Sequence, residues 1–206
     1  YGTCVSASRL VAGQTTLHEE LETEIASFIG VEAAVLFVSG HAANVSTIST
    51  VVGPGDLIVH DEFVHNSAVM GARLSGAAVR TFSHNRIESL ERILQKERGS
   101  FRNVLVLVEG LYSTEGDVPD LQRLIALKEY YGAWLMVDDA HGLGILGATG
   151  RGCAEHCGVD PNAIDIWMGT LSKTLASCGG YIAGSRALID VLKHAAPGFV
   201  YSVGLP

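Results

Sequence analysis

Lys173 is the only charged residue in a segment of small and hydroxyl-bearing residues, GTLSKTLASCGGYIAG (169–184). A second group of reactive side chains, the run DDAH, begins at Asp138 and ends at His141. A lysine amine can form a Schiff base with an aldehyde, and a carboxylate can pair with a protonated pyridine nitrogen. Pyridoxal phosphate uses both groups, because its aldehyde takes an amine and its ring accepts electrons. The two segments therefore favour chemistry on this cofactor.

The other parts of such a site can also be found in the sequence. The run SGHAAN (39–44) leads from a glycine turn into an expected helix, and helix amino termini bind phosphate through backbone N–H groups. The hydroxyl of Thr170 can support the same phosphate, and the ring of His65 can lie on a cofactor ring. We expect Lys173 to be buried against the cofactor, with a pKa below the usual value of about 10.4, as suits a catalytic base.

Short apolar segments alternate with amphipathic segments along the chain, a pattern typical of an α/β fold. Such chains form a mostly parallel sheet with helices on both faces. The predicted strands span 33–38, 57–59, 79–82, 104–108, 134–137, 164–168 and 181–183. The predicted helices span 16–28, 39–52, 66–75, 87–97, 120–131 and 186–195. A capping box of Thr16 with Glu19 is expected to begin the first helix.

Polar residues follow five of the predicted strands at the point where each strand ends. Ligands of parallel α/β sheets bind outside the carboxyl ends of the strands, so these side chains are expected to share one edge. They are Ser39, Gly40, His41, His60, Asp61, Glu62, His65, Glu109, Gly110, Ser113, Asp138, Asp139, His141, Gly169, Thr170, Ser172 and Lys173.

Four segments carry a resemblance to a known family. The runs DEFVHNS, VEGLYSTEGDVPDL, VDDAHGLGILGATGRG and GTLSKTLASCGGYIAG, in this order and spacing, resemble the α-oxoamine synthases. These are fold-type I, pyridoxal-phosphate-dependent acyltransferases, and the resemblance covers essentially the whole chain. It implies that an amino acid condenses with an acyl thioester, carried by CoA or an acyl-carrier protein, with decarboxylation to an α-amino ketone.

The resemblance also implies a role for individual residues. Lys173 would be the Schiff-base lysine, Asp138 the partner of the pyridine nitrogen, and His65 the ring that stacks on the cofactor. The other implied cofactor contacts are His141 at the phenolic oxygen, Gly40, His41 and Thr170 at the phosphate, and Glu109, Ser113 and Ser172 along the site. No metal site is expected.

The same resemblance predicts how the chain is organised. Residues 1–206 would form the large, cofactor-binding domain, and a smaller C-terminal domain would lie outside this sequence. We expect the chain to be the central part of a longer polypeptide that forms a homodimer with the site at its interface. Departures from the family pattern are His41 in place of Tyr or Phe, Asp139 in place of Glu, and Ser202-Val203 in place of Ser-Thr.

Composition argues against several other classes of protein. Of the 206 residues, 48% are apolar and only 17% are charged, which suits one domain with a sizeable core. The net charge of −8 and the lack of a basic run argue against nucleic-acid binding. No apolar run reaches membrane-spanning length. The four cysteines (Cys4, Cys153, Cys157 and Cys178) favour reduced thiols and a cytoplasmic location.

Several alternatives stay open or are disfavoured by their context. Another fold-type I reaction, such as a transamination or a lyase step, could use the same lysine and acid. A non-catalytic partner subunit is less consistent with Lys173, Asp138 and His65 all being present. GLGILG (142–147) fits a dinucleotide fingerprint but does not open a helix, as that motif requires. CAEHC (153–157) lacks the second ligand pair of a zinc site and favours a plain helix.

Overall fold

The computed structural model describes residues 5–206, which build one seven-stranded sheet. Its strands are β1 (Ala33–Phe37), β2 (Leu57–Asp61), β3 (Ala78–Phe82), β4 (Val104–Glu109), β5 (Trp134–Asp138), β6 (Ile166–Thr170) and β7 (Gly180–Gly184). The strand order is β1-β7-β6-β5-β4-β2-β3. Strand β7 is antiparallel to both of its neighbours, and the other four pairings are parallel. The mostly parallel sheet predicted from the sequence is confirmed.

The predicted helices are all present, with ends that differ by at most one residue. The α-helices are α1 (Thr16–Ile29), α2 (Gly40–Val51), α3 (Asn66–Ser75), α4 (Ile87–Glu97), α5 (Leu121–Tyr131), α6 (Cys153–Cys157), α7 (Arg186–Ala195) and α8 (Pro197–Val200). Helix α6 is the plain helix expected for CAEHC. Within residues 5–206, no helix combines the length and the apolarity needed to cross a membrane.

Two apolar cores, one on each face of the sheet, show why the strands are continuously hydrophobic. Successive side chains of a strand point to opposite faces, so Leu57 and Val59 join one core while Ile58 joins the other. Helices α1, α4 and α5 cover the first core, and α2, α3 and α7 cover the second. Both faces are therefore buried, as the uninterrupted apolar runs predicted.

The start of α1 differs from the prediction by one residue. Thr15, with extended backbone, is the N-cap: its Oγ1 accepts the backbone N–H of His18, and its own N–H donates to His18 Nδ1 at 3.1 Å. The predicted capping box of Thr16 with Glu19 was therefore wrong. A histidine takes the place of the usual Glu or Gln, while the Glu19 carboxylate accepts from the side chain of Gln14.

Strand β6 begins two residues later than predicted, at Ile166 instead of 164. A 3₁₀ turn, Pro161–Ala163, precedes it, and the Asp165 carboxylate accepts the backbone N–H of Leu135 at 2.7 Å. Asp165 also donates its own backbone N–H to Leu135 O at 3.1 Å, so both groups of this residue contact the start of β5. Strand β6 ends at Thr170, whose hydroxyl lies at the carboxyl edge of the sheet.

Gly180 allows the amino terminus of α2 to lie directly on the sheet. A Cβ at this position would lie 2.5 Å from Gly40 Cα and 2.6 Å from Gly40 N, and both of these are backbone atoms. No rotamer change can relieve such a contact. The glycine is therefore required for α2 to begin where it does.

We predict that Gly180→Ala lowers the free energy of unfolding by about 1–3 kcal/mol, the range of overpacked cores. Gly99→Ala is the matched control, since a Cβ there meets nothing within 4 Å. The control is expected to stay within about 0.5 kcal/mol of the wild type. Urea denaturation of the three proteins checks both expectations, and equal midpoints for the two variants would contradict the argued contact.

Candidate active site

A cavity of about 230 Å³ lies at the carboxyl edge of the sheet, bounded by the start of α2, the start of α3 and the ends of β4, β5 and β6. Nine of the ten predicted site residues line it: Gly40, His41, His65, Glu109, Asp138, His141, Thr170, Ser172 and Lys173. The tenth, Ser113, is exposed in the loop after β4 and does not line this cavity. The edge predicted from the strand ends is therefore where the reactive side chains meet.

One end of the cavity has the features of an anion site. The backbone N–H groups in the first turn of a helix have no intrahelical acceptor and carry the positive end of the helix dipole. In α2, Ser39 Oγ accepts the N–H of Ala42. Across from this turn, the Thr170 hydroxyl donates to Gly179 O at 3.0 Å and lies 2.9 Å from Ser172 Oγ. This end is suited to a phosphate group.

Asp138 supplies the carboxylate at the centre of the cavity. Its Oδ1 accepts the backbone N–H of Ala140 at 3.1 Å, and its Oδ2 accepts an amide hydrogen of Asn44 at 2.8 Å. Both bonds stabilise the ionised carboxylate and fix its plane. The group is half-buried at the end of β5, which leaves it open towards the cavity.

The neighbouring acid, Asp139, faces away from the cavity. It is buried, and its Oδ2 accepts the backbone N–H of Cys153 at 2.9 Å. Burial, reinforced by the nearby charge of Asp138, raises the pKa of Asp139 to about 7. Because successive side chains point in opposite directions, Asp138 faces the cavity. Asp139 faces the other way and bonds the first residue of α6.

His65 is held at the N-cap of α3. Its Nδ1 lies 2.7 Å from Ser67 Oγ and also accepts the backbone N–H of Ser67 at 3.2 Å. Its own backbone N–H donates to Glu109 Oε1 at 2.6 Å. The imidazole itself is exposed at the cavity. It is positioned to cover a planar group but is not enclosed.

Lys173 follows β6 in an exposed loop, so the expectation that it is buried is not met in the protein chain itself. Partial desolvation at the cavity nevertheless lowers the pKa of its amine, an effect that the carboxylates of Asp138 and Glu109 oppose. The lowered pKa agrees with the sequence prediction and favours a neutral amine.

His141 and Glu109 are both shifted towards their neutral forms. Desolvation, together with the charge of Lys173, lowers the pKa of His141. Burial, with the adjacent charge of Asp138, raises the pKa of Glu109 to about 8. Glu109 and Asp138 are direct neighbours in the register of β4 and β5, and two adjacent carboxylates cannot both ionise cheaply. At neutral pH Glu109 therefore keeps its proton beside the carboxyl group of Asp138.

Two residues of the site, Asn44 and Ser67, were missed by the sequence analysis. Both are buried and both line the cavity. Each lies within a segment already noted, SGHAAN and DEFVHNS. The signal that could have found them is a polar side chain on the inward face of a helix near its start, since such groups need a partner.

The glycine-rich segment 142–147 forms a loop, not the start of a helix. Gly144 and Gly147 both have positive φ values, 81° and 85°. The loop lies against the segment that carries the lysine, because Thr174 Oγ1 donates to Leu143 O at 2.8 Å. It therefore supports the lysine loop, and the dinucleotide motif lacks the helix that it requires.

A larger cavity, of about 550 Å³, lies at the opposite edge of the sheet. Its walls come from the starts of β5 and β6 and from α7, and include Trp134, Ile166 and Leu188. No lysine or histidine lines it, so the smaller cavity is the one equipped for chemistry.

Cys153, Cys157 and Cys178 are free thiols, while Cys4 lies outside the described residues. Among the described residues, no cluster of three or more potential ligands could bind a metal ion.

Comparison with known proteins decides the relationship. Residues 6–206 match the family model described as aminotransferase class I and II. The chain belongs to this family. It is 48% identical over 206 residues to the 8-amino-7-oxononanoate synthase of Geotalea daltonii, covering 100% of this chain and 52% of that protein. It is 44% identical over 210 residues to human serine palmitoyltransferase 3, covering 98% of this chain and 38% of that protein.

Solved structures of the family agree with the fold. The serine palmitoyltransferase of Sphingomonas wittichii has a TM-score of 0.94 at 34% identity, covering 100% of this chain and 51% of that one. An SPT structure with its pyridoxal phosphate bound has a TM-score of 0.92 at 31% identity, covering 98% and 50%. The resemblance to α-oxoamine synthases is confirmed. The chain spans about half the length of these relatives, or less.

We predict that Glu109→Gln flattens the dependence of stability on pH. An acid whose pKa rises from 4.5 unfolded to about 8 folded binds its extra proton only in the folded state. Its contribution to stability is therefore complete below pH 4.5 and is lost as the pH rises towards 8. Each pH unit in this window costs about 1.4 kcal/mol. The variant, which keeps an acceptor for the His65 N–H, should lack this loss.

Urea denaturation between pH 5 and pH 8 measures the difference in slope. Asp139 makes the same contribution to the pH dependence of the unfolding free energy in the wild type and in the variant, so its effect cancels in the comparison. Glu20→Gln, at an exposed position of α1, is the control and should leave the slope unchanged. If Glu109→Gln and the wild type show parallel curves, Glu109 is ionised in the folded protein and the argued charge distribution is incorrect.

Proposed function

We propose that the protein to which this chain belongs is a pyridoxal-phosphate-dependent α-oxoamine synthase. It would condense an amino acid with an acyl thioester, carried by CoA or an acyl-carrier protein, and release carbon dioxide and the free thiol. The observation that carries the proposal is that Lys173, Asp138, His65 and His141 line one cavity, at the amino terminus of α2. The names of the relatives support the same reaction class.

The donors and acceptors of the cavity fit the cofactor. A phosphate would be held by the first N–H groups of α2, which Gly180 allows to reach the sheet edge, and by the hydroxyl of Ser172. The Thr170 hydroxyl, which donates its one hydrogen to Gly179 O, would turn from that acceptor to join them. The carboxylate of Asp138 would hold a protonated pyridine nitrogen. When bound, pyridoxal phosphate would supply an aldehyde for the amino group of the substrate and a ring that accepts electrons.

The protein side chains have separate tasks in this chemistry. Two N–H bonds hold the carboxylate of Asp138 in place, and its neighbour Glu109 keeps its proton. Lys173, whose pKa is lowered, can remove a proton from the α-carbon of the substrate and return it later. His141, held neutral, can donate a ring N–H to an anionic oxygen. His65 shields one face of the site from water.

Two branches of the α-oxoamine synthases supply the candidate substrates. The chain is similar both to an 8-amino-7-oxononanoate synthase, at 48% identity, and to a serine palmitoyltransferase, at 44% identity. Transamination or a lyase step would use the same lysine and acid. Product analysis separates these reactions, because only the condensation releases a thiol.

A homodimer is part of the proposal. Ahead of α1, Leu10 and Val11 are 48% and 82% exposed. Exposed apolar side chains in the segment that precedes the first helix are suited to contact with a second subunit.

A cytoplasmic location, inferred from the reduced cysteines, stays a prediction.

Lys173 is predicted to carry the cofactor covalently. The protein should be yellow, and borohydride reduction followed by peptide mapping should place the label on Lys173. Lys173→Ala should still bind pyridoxal phosphate through the phosphate and ring contacts but should not turn over. Lys96→Ala, at an exposed position of α4, is the control and should behave as wild type. A label on another lysine would overturn the assignment of the site.

Asp138→Asn is predicted to keep the shape of the side chain while losing its charge. A charged hydrogen-bond partner contributes up to about 3 kcal/mol, so turnover should fall by at least ~100-fold. Cofactor binding, measured from its visible absorption, should persist. Turnover close to wild type would show that the carboxylate on the pyridine nitrogen is supplied elsewhere.

A further inference from the structure

A chain of hydrogen bonds joins the two side chains that would contact different parts of the cofactor ring. Asn44 Nδ2 lies 2.8 Å from Asp138 Oδ2 and 2.9 Å from Ser67 Oγ. Ser67 Oγ in turn lies 2.7 Å from His65 Nδ1. The chain connects α2, α3 and β5, and both intermediate residues are 1% exposed. Neither Asn44 nor Ser67 is used by the mechanism described above.

The direction of each bond follows from the groups at its ends. The carboxylate of Asp138 can only accept, so the amide of Asn44 must present its NH₂ group to it. That NH₂ group has two hydrogens, and the second is donated to Ser67 Oγ. Because Ser67 Oγ accepts this hydrogen, its own O–H remains free to donate to His65 Nδ1.

The last bond fixes the tautomer of the imidazole. The backbone N–H of Ser67 donates to the same Nδ1 atom at 3.2 Å. An Nδ1 atom that accepts hydrogen bonds carries a lone pair and no proton. The proton of the neutral ring is therefore on Nε2, and the plane of the ring is defined by Ser67.

The opposite orientation of the Asn44 amide is excluded by the same contacts. It would bring Oδ1 against the carboxylate of Asp138, where two acceptors would repel each other. In the observed orientation Oδ1 is buried and has no hydrogen-bond partner among the described residues. The amide oxygen of Asn44 is therefore left without a bond, while both amide hydrogens are donated, one to Asp138 and one to Ser67.

We propose that Asn44 and Ser67 are positioning residues, which align the carboxylate of Asp138 with the imidazole of His65 and hold that imidazole as the neutral Nε2–H tautomer. The inference rests on the proposed function, since His65 and Asp138 contact a common ring only if pyridoxal phosphate binds. It extends that function by assigning the alignment of two groups from different elements to a single asparagine.

The exposure of His65 explains why such a device is needed. Its ring projects from the N-cap of α3 and is exposed, so the protein core does not restrict its rotation. The imidazole is held by two bonds at Nδ1, one to the hydroxyl of Ser67 and one from its backbone N–H. Without them, both the plane and the tautomer of the ring would vary, and fewer molecules would have the ring ready to stack.

A double-mutant cycle on cofactor affinity tests whether Ser67 acts through His65. The full protein is titrated with pyridoxal phosphate, and binding is followed by visible absorption. We expect Ser67→Ala to raise the Kd about 5–10-fold and Ser67→Thr, which keeps a hydroxyl, to restore most of the affinity. In a His65→Ala background, Ser67→Ala should have no further effect, because residues that act through one contact are not additive. Equal effects of Ser67→Ala in the two backgrounds would overturn the proposal.

Ser75→Ala is the matched control. Ser75 is a buried serine of the same helix whose hydroxyl donates to Ala72 O at 2.7 Å, outside the cavity. Its loss is expected to leave the Kd unchanged. A similar loss of affinity in Ser75→Ala and Ser67→Ala would indicate a general effect on α3 and would also overturn the proposal.

The tautomer is measured separately, on the protein without added cofactor. Nitrogen-15 NMR of histidine-labelled protein, with the His65 signal assigned from His65→Ala, should show a protonated Nε2 and an unprotonated Nδ1. Ser67→Ala removes the shorter of the two bonds to Nδ1 and leaves only the backbone N–H at 3.2 Å, so it should populate the other tautomer in part. If the wild type failed to bind pyridoxal phosphate but showed the Nε2–H tautomer, the proposed function would fail, while the control of the His65 tautomer by Ser67 would stand. The Nδ1–H tautomer in the wild type would contradict the positioning role itself.

Discussion

The hydrogen bond from Asn44 to Asp138 ties the first turn of α2 to the end of the central strand β5. It brings the end of the cavity at the start of α2 and the carboxylate of Asp138 into one arrangement, because α2 is itself seated on the sheet through the contact of Gly40 with Gly180. If either contact were lost, the helix start and the carboxylate could move independently. The cavity depends on this constraint more than on the loops around it, which are exposed on the lysine side.

The charge distribution follows from the same placement. Parallel pairing of β4 and β5 puts Glu109 beside Asp138, and burial of Glu109 favours its neutral form. Glu109 then keeps its proton, with a pKa near 8, while Lys173 and His141 are both shifted towards neutral forms. A hydrogen-bonded carboxyl group beside acids and bases that are shifted towards their neutral forms suits a site that moves protons.

Most of this arrangement could be predicted because parallel α/β sheets carry their ligands at one edge. Continuous apolar runs such as 104–108 indicated the strands, and nine of the ten predicted site residues line one cavity at the strand ends. His60 and Asp61, which were expected after the second strand, lie within β2 and do not line the cavity. Three features could not be predicted. Ser113 follows a strand but turns away in an exposed loop, the Asp165 carboxylate bonds the backbone of a neighbouring strand ahead of β6, and the Asn44–Ser67 link depends on how two helices approach each other. Such contacts between distant segments leave no local pattern in the sequence.

The reaction itself is tested most directly by its stoichiometry. The full protein, loaded with pyridoxal phosphate, is incubated with a panel of amino acids and acyl-CoA thioesters while free thiol and carbon dioxide are both measured. The account predicts that one pair of substrates releases the two in equal amounts, and that omission of either substrate abolishes both. Carbon dioxide released without thiol, or an oxo acid formed from the amino acid alone, would contradict it and would assign the cavity to a decarboxylase or an aminotransferase.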